Sequence, residues 1–209
     1  MICAIIFDFD GVIIESFDIK TQAFRELFKI YRQVDEIVEY HKQNGGVSRY
    51  IKFRHIYSEI LKQPLEEKTF IELGEKFSNL VVEEVKKCPY VPGALEFIRE
   101  KSKQMKLFIA SGTPEDELVA IVNARGISEY FNGIYGSPAI KSEIIQKILI
   151  KENFNNKNVV FIGDTITDYR EASKAGVHFI ARINGSFDNP LLELAVPKIH
   201  DFYEYCIKL

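Results

Sequence analysis

Four short apolar runs, each closed by a polar or glycine-containing turn, constrain this chain more than any other feature. Residues 2–7 run into Asp8-Phe9-Asp10-Gly11, 106–110 into Ser111-Gly112-Thr113, 158–162 into Gly163-Asp164-Thr165, and 177–181 into Arg182-Ile183-Asn184-Gly185. Continuous runs rich in Ile, Val and Phe read as strands buried on both faces, and strands of that kind separated by helices predict a parallel sheet with helices on both sides. Helical patterns follow over 93–103, 114–125, 141–152 and 166–174. Pro114 suits a first helical turn with Thr113 as its N-cap, and Gly126 and Gly176 suit helix C-termini. The fold class is α/β, with a Rossmann-like parallel sheet as its core.

Residues 16–88 break that rhythm. Phe24, Leu27 and Phe28, then Ile56, Ile60 and Leu61, then Phe70, Leu73, Phe77, Leu80 and Val81 recur at helical spacing, and Asn44-Gly45-Gly46 breaks the helices apart. These aromatic and aliphatic stripes read as core. The expected organisation is a sheet domain of 1–15 and 89–209 with an α-helical insert, a cap, at 16–88.

The formal net charge of −3 invites neither nucleic acid nor an anionic membrane, so any phosphate affinity must be local. Cys3, Cys88 and Cys206 share no metal-ligand or redox spacing and read as reduced structural thiols. The apolar start is too short to span a bilayer and lacks a basic leader, so the chain is expected to be cytoplasmic. Oligomeric state has no sequence signal.

In open parallel sheets, ligands bind at the carboxyl ends of the strands, where all four polar turns converge. Asp8 and Asp10, two apart after a strand, start on the same side. Like charges that close repel unless a cation lies between them, and a divalent ion with oxygen ligands answers this. Asp8 and Asp164, from two strands, are placed to hold such an ion, Mg²⁺ by donor type. Ser111-Gly112-Thr113 offers a hydroxyl and backbone N–H groups where a helix begins, a phosphate-sized anion site. Lys141 opens a helix, a position that electrostatics disfavours for lysine. Together these describe a phosphoryl-transfer centre.

Asp8-Phe9-Asp10-Gly11-Val12, Ser111-Gly112-Thr113, Lys141 and Gly163-Asp164-Thr165-Ile166-Thr167-Asp168, in that order, resemble the four motifs of the haloacid dehalogenase superfamily. The branch is that of phosphoglycolate phosphatases and β-phosphoglucomutases, and the insert after the first motif fits its helical cap. The resemblance implies that Asp8 attacks phosphorus and becomes an aspartyl-phosphate. Asp10 would protonate the leaving group and then deprotonate water. Ser111, Lys141 and the Gly112 amide would hold the phosphoryl group. Asp8, the Asp10 carbonyl and Asp164 would bind Mg²⁺, with Asp168 orienting Lys141 or a metal-bound water. Dehalogenases of the superfamily lack an acid where Asp10 stands, so the intact pair points to phosphate monoesters.

Gly45-Gly46-Val47-Ser48-Arg49 resembles the specificity loop of the mutases, which implies that Arg49 grips a second anionic group; the alternative is an exposed loop arginine. Lys20 stands where the mutases carry a hinge histidine, so it either contacts substrate or merely solvates its helix. Lys141 as a solvated helix-start lysine, Ser111 as a turn residue and Asp168 as a surface acid also stay open. His55 reads as a surface residue, His178 as a satisfied core histidine. The expected function is hydrolysis of a small phosphorylated metabolite, a sugar phosphate or phosphoglycolate-like acid. A sugar phosphomutase and a non-catalytic phosphometabolite-binding protein are the alternatives.

Overall fold

The computed structural model describes residues 1–184 and 189–203; Gly185 and Cys206 lie outside them. Among the described residues the chain forms one six-stranded parallel sheet, in the order β3-β2-β1-β4-β5-β6. The strands are β1 (Ala4–Phe7), β2 (Lys106–Pro114), β3 (Gly133–Ser137), β4 (Val159–Gly163), β5 (His178–Arg182) and β6 (Lys198–Ile199). The helices are α1 (Phe17–Phe28), α2 (Val34–Gln43), α3 (Arg49–His55), α4 (Glu67–Lys87), α5 (Ala94–Lys101), α6 (Glu115–Ala124), α7 (Lys141–Glu152) and α8 (Ile166–Ala175).

The period-two alternation of a strand divides the core in two. Ile5, Phe7, Leu107, Ile109, Val160 and Ile162 face one side, where α5 and α6 bring Phe97, Ile98, Leu118 and Ile121. Ala4, Ile6, Phe108, Ala110 and Phe161 face the other, covered by Ile144, Ile145 and Ile148 of α7 and Ala172 of α8. Between β1 and α5 the chain is helical, as its apolar spacing predicts. Phe24 of α1 packs against Phe53 of α3 and Phe77 of α4, with ring centroids 5.8 and 5.1 Å away. This cluster is continuous with the first face of the sheet core, so the helical layer sits against the strand ends. Leu80, expected in that core, is 40 % exposed. Among the described residues no helix is long and apolar enough to cross a membrane.

Several expectations need correction. The sheet has six strands rather than four. β3 escapes the apolar pattern because glycines occupy Gly133 and Gly136 on an edge, and β6 is only two residues long. β2 continues through Pro114, so Ser111-Gly112-Thr113 belongs to a strand and not to a helix start. Pro114 itself precedes α6, and Thr113 is not its cap. The pairing of β2 with β3 shifts register between Ala110 and Pro114, an irregularity that lets the strand bend toward the cleft. His178 is exposed at the first position of β5, its Nε2 3.0 Å from the Lys157 carbonyl, and is not a core histidine.

Candidate active site

Asp8 follows β1 directly and is 2 % exposed. Its Oδ1 accepts the Phe9 N–H at 2.7 Å, and its Oδ2 lies 2.8 Å from Lys141 Nζ. After Phe9 the chain turns at Gly11, whose φ of +75° favours glycine. A Cβ there would also collide with the Asp164 carboxylate. The turn therefore requires glycine twice over, and it lets Asp164, from the end of β4, approach Asp8.

Lys141, the first residue of α7, is 3 % exposed and bridges two acids: Asp8 at 2.8 Å and Asp168 at 2.5 Å. Burial alone would lower its ammonium, but Asp168 and Asp8 outweigh it and keep the lysine charged. Asp168 is fully buried and spends its second oxygen on capping α8, accepting from the Thr165 N–H at 3.1 Å and the Thr165 hydroxyl at 2.7 Å. A hydroxyl N-cap that bonds back to the third helical residue fixes this first turn. The two bland readings, a solvated lysine and a surface acid, do not hold: both side chains are buried and paired.

Asp10 occupies the opposite wall. Its Oδ2 lies 2.5 Å from Lys20 Nζ and accepts the Thr113 hydroxyl at 3.0 Å, and its Oδ1 accepts the Ser16 hydroxyl at 2.6 Å. Burial would raise the Asp10 carboxyl, but Lys20 and the hydroxyl donors outweigh it and hold it below the ordinary carboxylate range. Lys20 also donates to Thr113 Oγ1 at 2.9 Å, so it is a site residue rather than a solvated one. Ser111 is buried, with its Oγ 3.5 Å from Asp10 Oδ2 and accepting the Thr113 N–H at 3.1 Å. A Cβ on Gly112 would lie 2.6 Å from the Gly46 carbonyl, so glycine here lets β2 meet the loop before α3.

The third wall is electrostatically unmet. One oxygen each of Asp8, Asp164 and Asp168 lie within 4.8 Å of one another. Burial, with its acidic neighbours adding to it, pushes the Asp8 carboxyl up to about 7 and Asp164 well above its ordinary value. Asp164 Oδ1 is buried with no hydrogen-bond partner. Hard oxygen donors, crowded charge and an orphaned buried oxygen fit a divalent cation such as Mg²⁺. Asp164, with its unpartnered oxygen, is the side chain freest to hold it, and Asp8 and Asp168, each also engaged by Lys141, adjoin it.

Arg49 of α3 lines the cleft but is already matched. Its guanidinium meets Glu117 of α6 at 2.5 and 3.0 Å, accepts no exposure beyond 5 %, and shares Glu117 with Ser78 of α4. This bidentate pair ties the helical layer to the sheet helices. Breaking a buried ion pair from one side costs about 3–5 kcal/mol. Glu117→Gln is therefore expected to lower unfolding free energy by roughly that amount in urea titration, while a loss near zero would mean the pair contributes no net stability.

Glu117, Ser16, His41 and Lys52 were not legible as site residues, and Thr113 was placed only within the Ser111-Gly112-Thr113 motif and as a helix cap. Their only sequence signal is position: Lys52 falls three residues after Arg49, on the same helical face. Thr113, His41 and Lys52 line the cleft with Asp8, Asp10, Lys20 and Asp164, and it leaves a cavity of about 60 Å³.

A family model described as haloacid dehalogenase-like hydrolase matches residues 5–182. The chain is 27% identical over 187 residues to a phosphorylated carbohydrates phosphatase of Thermotoga maritima, covering 85% of this chain and 83% of that protein. Among solved structures it is similar to CbbY of Rhodobacter sphaeroides bound to xylulose-(1,5)bisphosphate, with a TM-score of 0.79 at 19% identity, over 98% of this chain and 96% of that one. It is similar also to β-phosphoglucomutase of Clostridium difficile, with a TM-score of 0.78 at 22% identity, over 98% and 93% of the two chains.

Proposed function

The chain belongs to the haloacid dehalogenase-like hydrolases, and from that premise we propose that it is a Mg²⁺-dependent phosphatase of small phosphorylated metabolites, carbohydrates among them. One observation carries the reading: Asp8, Asp10, Lys141 and Asp164 meet in a single cleft, with Asp8 and Asp10 both intact.

The sequence of events follows from their positions. The Asp8 carboxylate attacks phosphorus, the ester P–O bond breaks, and Asp10 gives its proton to the departing alkoxide. Water then attacks the aspartyl-phosphate, Asp10 takes its proton, and the acyl P–O bond breaks to release orthophosphate and free Asp8. Lys20 favours the anionic Asp10 that the second step needs. Lys141 and the Ser111 hydroxyl, with the Gly112 amide, hold the phosphoryl oxygens, and Asp168 fixes Lys141 in place. Asp8, Asp164 and the Asp10 carbonyl would hold Mg²⁺, which would supply charge neutralisation at those oxygens. Residues 16–88 act as a cap over a catalytic domain of 1–15 and 89–209, admitting substrate and excluding water. The free thiols of Cys3 and Cys88 fit a reducing, cytoplasmic setting.

The test is Mg²⁺-dependent phosphate release across sugar phosphates, phospho-acids and nucleotides. Release confined to one compound class and abolished by chelation supports the reading; no release from folded, Mg²⁺-supplied protein contradicts it. A phosphomutase is the second reading, favoured by the cations gathered around the cleft beyond Lys141. It predicts isomerisation of a sugar 1-phosphate in the presence of a bisphosphate primer, with little orthophosphate.

A further inference from the structure

Three of the four polar turns supply the cleft, but the fourth, which opens with Arg182 at the end of β5, has no part in the chemistry above. Arg182 is nevertheless 6 % exposed and, among the described residues, makes four hydrogen bonds through all three guanidinium nitrogens. Nε donates to the His200 carbonyl at 3.1 Å. Nη1 donates to the Gly11 carbonyl at 3.2 Å and to Glu15 Oε2 at 3.1 Å, and Nη2 to Glu15 Oε1 at 2.6 Å. The grip on Glu15 is the planar two-pronged geometry that a guanidinium makes and an ammonium does not.

The chain from Asp10 to Ser16 forms a loop closed by the Ser16 hydroxyl, which donates to Asp10 Oδ1 at 2.6 Å. Gly11 and Glu15 lie immediately inside its two ends, so Arg182 holds the loop at both. The loop then opens α1, where the Lys20 N–H donates to the Ser16 carbonyl at 3.2 Å and the Lys20 ammonium returns to Asp10 Oδ2. Ser16 and Lys20, two of the groups that hold the Asp10 carboxylate, thus depend on how the chain leaves Asp10. None of the four Arg182 hydrogen bonds goes to that carboxylate itself. The bond to His200 braces the guanidinium against the segment after β6, so the loop is fastened to the far side of the sheet.

Resting on the phosphatase reading above, we propose that Arg182 is a positioning residue for the acid–base step: by clamping Gly11 and Glu15 it fixes the loop that sets Ser16 and Lys20 against Asp10. The clamp matters most where Asp10 must give up a proton. An alkyl ester departs as an alkoxide and needs that proton as its P–O bond breaks, whereas nitrophenolate departs as a stable anion without one. Misplacing a reacting group by about 1 Å can cost about 10²-fold. Loss of the clamp should therefore appear as sensitivity to the leaving group and not as a uniform fall.

The experiment compares the full-length protein, Arg182→Met and Arg182→Lys, with Mg²⁺, on ethyl phosphate and p-nitrophenyl phosphate. The ratio kcat/KM covers events up to departure of the alcohol, so it isolates the step in which Asp10 is the acid. Arg182→Met is expected to lose about 30-fold or more on ethyl phosphate and no more than about threefold on p-nitrophenyl phosphate. Arg182→Lys keeps the charge without the fork and should retain the bias; full recovery by lysine would mean that charge alone suffices and would overturn the clamp. Equal losses on the two esters, or none, overturn it as well, because a role in stability alone does not distinguish leaving groups. If Arg182→Met does not fold, Glu15→Ala, which removes the other half of the fork, takes its place with the same bias at smaller amplitude. Asp10→Asn is the reference and should show the bias in larger measure. If it shows none, or the parent cleaves neither ester, the reading of Asp10 or of the phosphatase fails by itself, and amide hydrogen exchange decides on the clamp. Faster exchange in Arg182→Met confined to residues 10–20 supports it; exchange unchanged, or raised throughout the chain, overturns it.

Discussion

Asp8→Asn is expected to lower turnover by about 10⁴-fold or more, the scale seen when a covalent nucleophile is removed, and at the same time to stabilise the metal-free protein. Both effects arise from one carboxylate. Asp168 also meets Lys141 and adjoins Asp164, but it is fully buried with its oxygens spent on Lys141 and Thr165, so it does not take over attack on phosphorus. Asp8 is also buried beside like charges, and its folded-state pKa is raised to about 7. A raised carboxyl binds a proton in the folded state that the unfolded state releases. Metal-free stability therefore falls as pH rises from about 4 towards 7, and it stays low above that. Asparagine keeps the shape and abolishes the titration. Thermal melts in chelator at pH 8 should give a higher Tm for the variant. Mg²⁺ should raise the Tm of the parent more than that of Asp8→Asn, because the variant offers one anionic ligand fewer. Residual activity near the parental level, or a variant less stable in chelator at pH 8, contradicts this arrangement.

Lys141→Met should have the largest effect on stability. The lysine is the cation between Asp8 and Asp168, both buried, and burial leaves those acids no water to fall back on. Removing one partner of a buried ion pair costs about 3–5 kcal/mol. Methionine fills a similar volume and can still pack on Phe161, whose ring centroid lies 5.8 Å from Nζ. The loss should appear in urea titration as a lower midpoint with an unchanged m-value. Mg²⁺ should restore part of it by returning positive charge to the acids. Turnover should fall by about 10²–10³-fold at saturating substrate, the scale for losing one group that stabilises transition-state charge. A midpoint shift near zero would mean that Asp8 and Asp168 are compensated by other groups.

The parts of this molecule that the sequence displayed are those written locally. Residues 2–7, 107–110 and 159–162 are apolar without interruption because each strand is covered on both faces, and the residues that follow them bring Asp8, Asp10, Ser111 and Asp164 to the carboxyl end of the sheet. β3 stayed hidden because an edge strand needs little apolar surface, and its glycines resemble a turn. His178 misled for the complementary reason. It opens an apolar run, but the first strand position points outward, and its neighbour Phe179 is the buried one. The pairings that give the cleft its charge were out of reach. Arg49 and Glu117 are 68 residues apart in the chain, and Lys20 and Thr113 are 93. Nothing local marks Glu117 as the partner of Arg49, so Arg49 looked available for substrate.

The central claim is that phosphorus passes through Asp8. Rapid acid quenching of the Mg²⁺-loaded protein during turnover of a good substrate, followed by peptide mass analysis, tests it most directly. The expected result is the mass of one phosphoryl group on the peptide containing Asp8, labile to base and to hydroxylamine, appearing before steady state and absent from Asp8→Asn. Steady turnover with the label on another residue contradicts it.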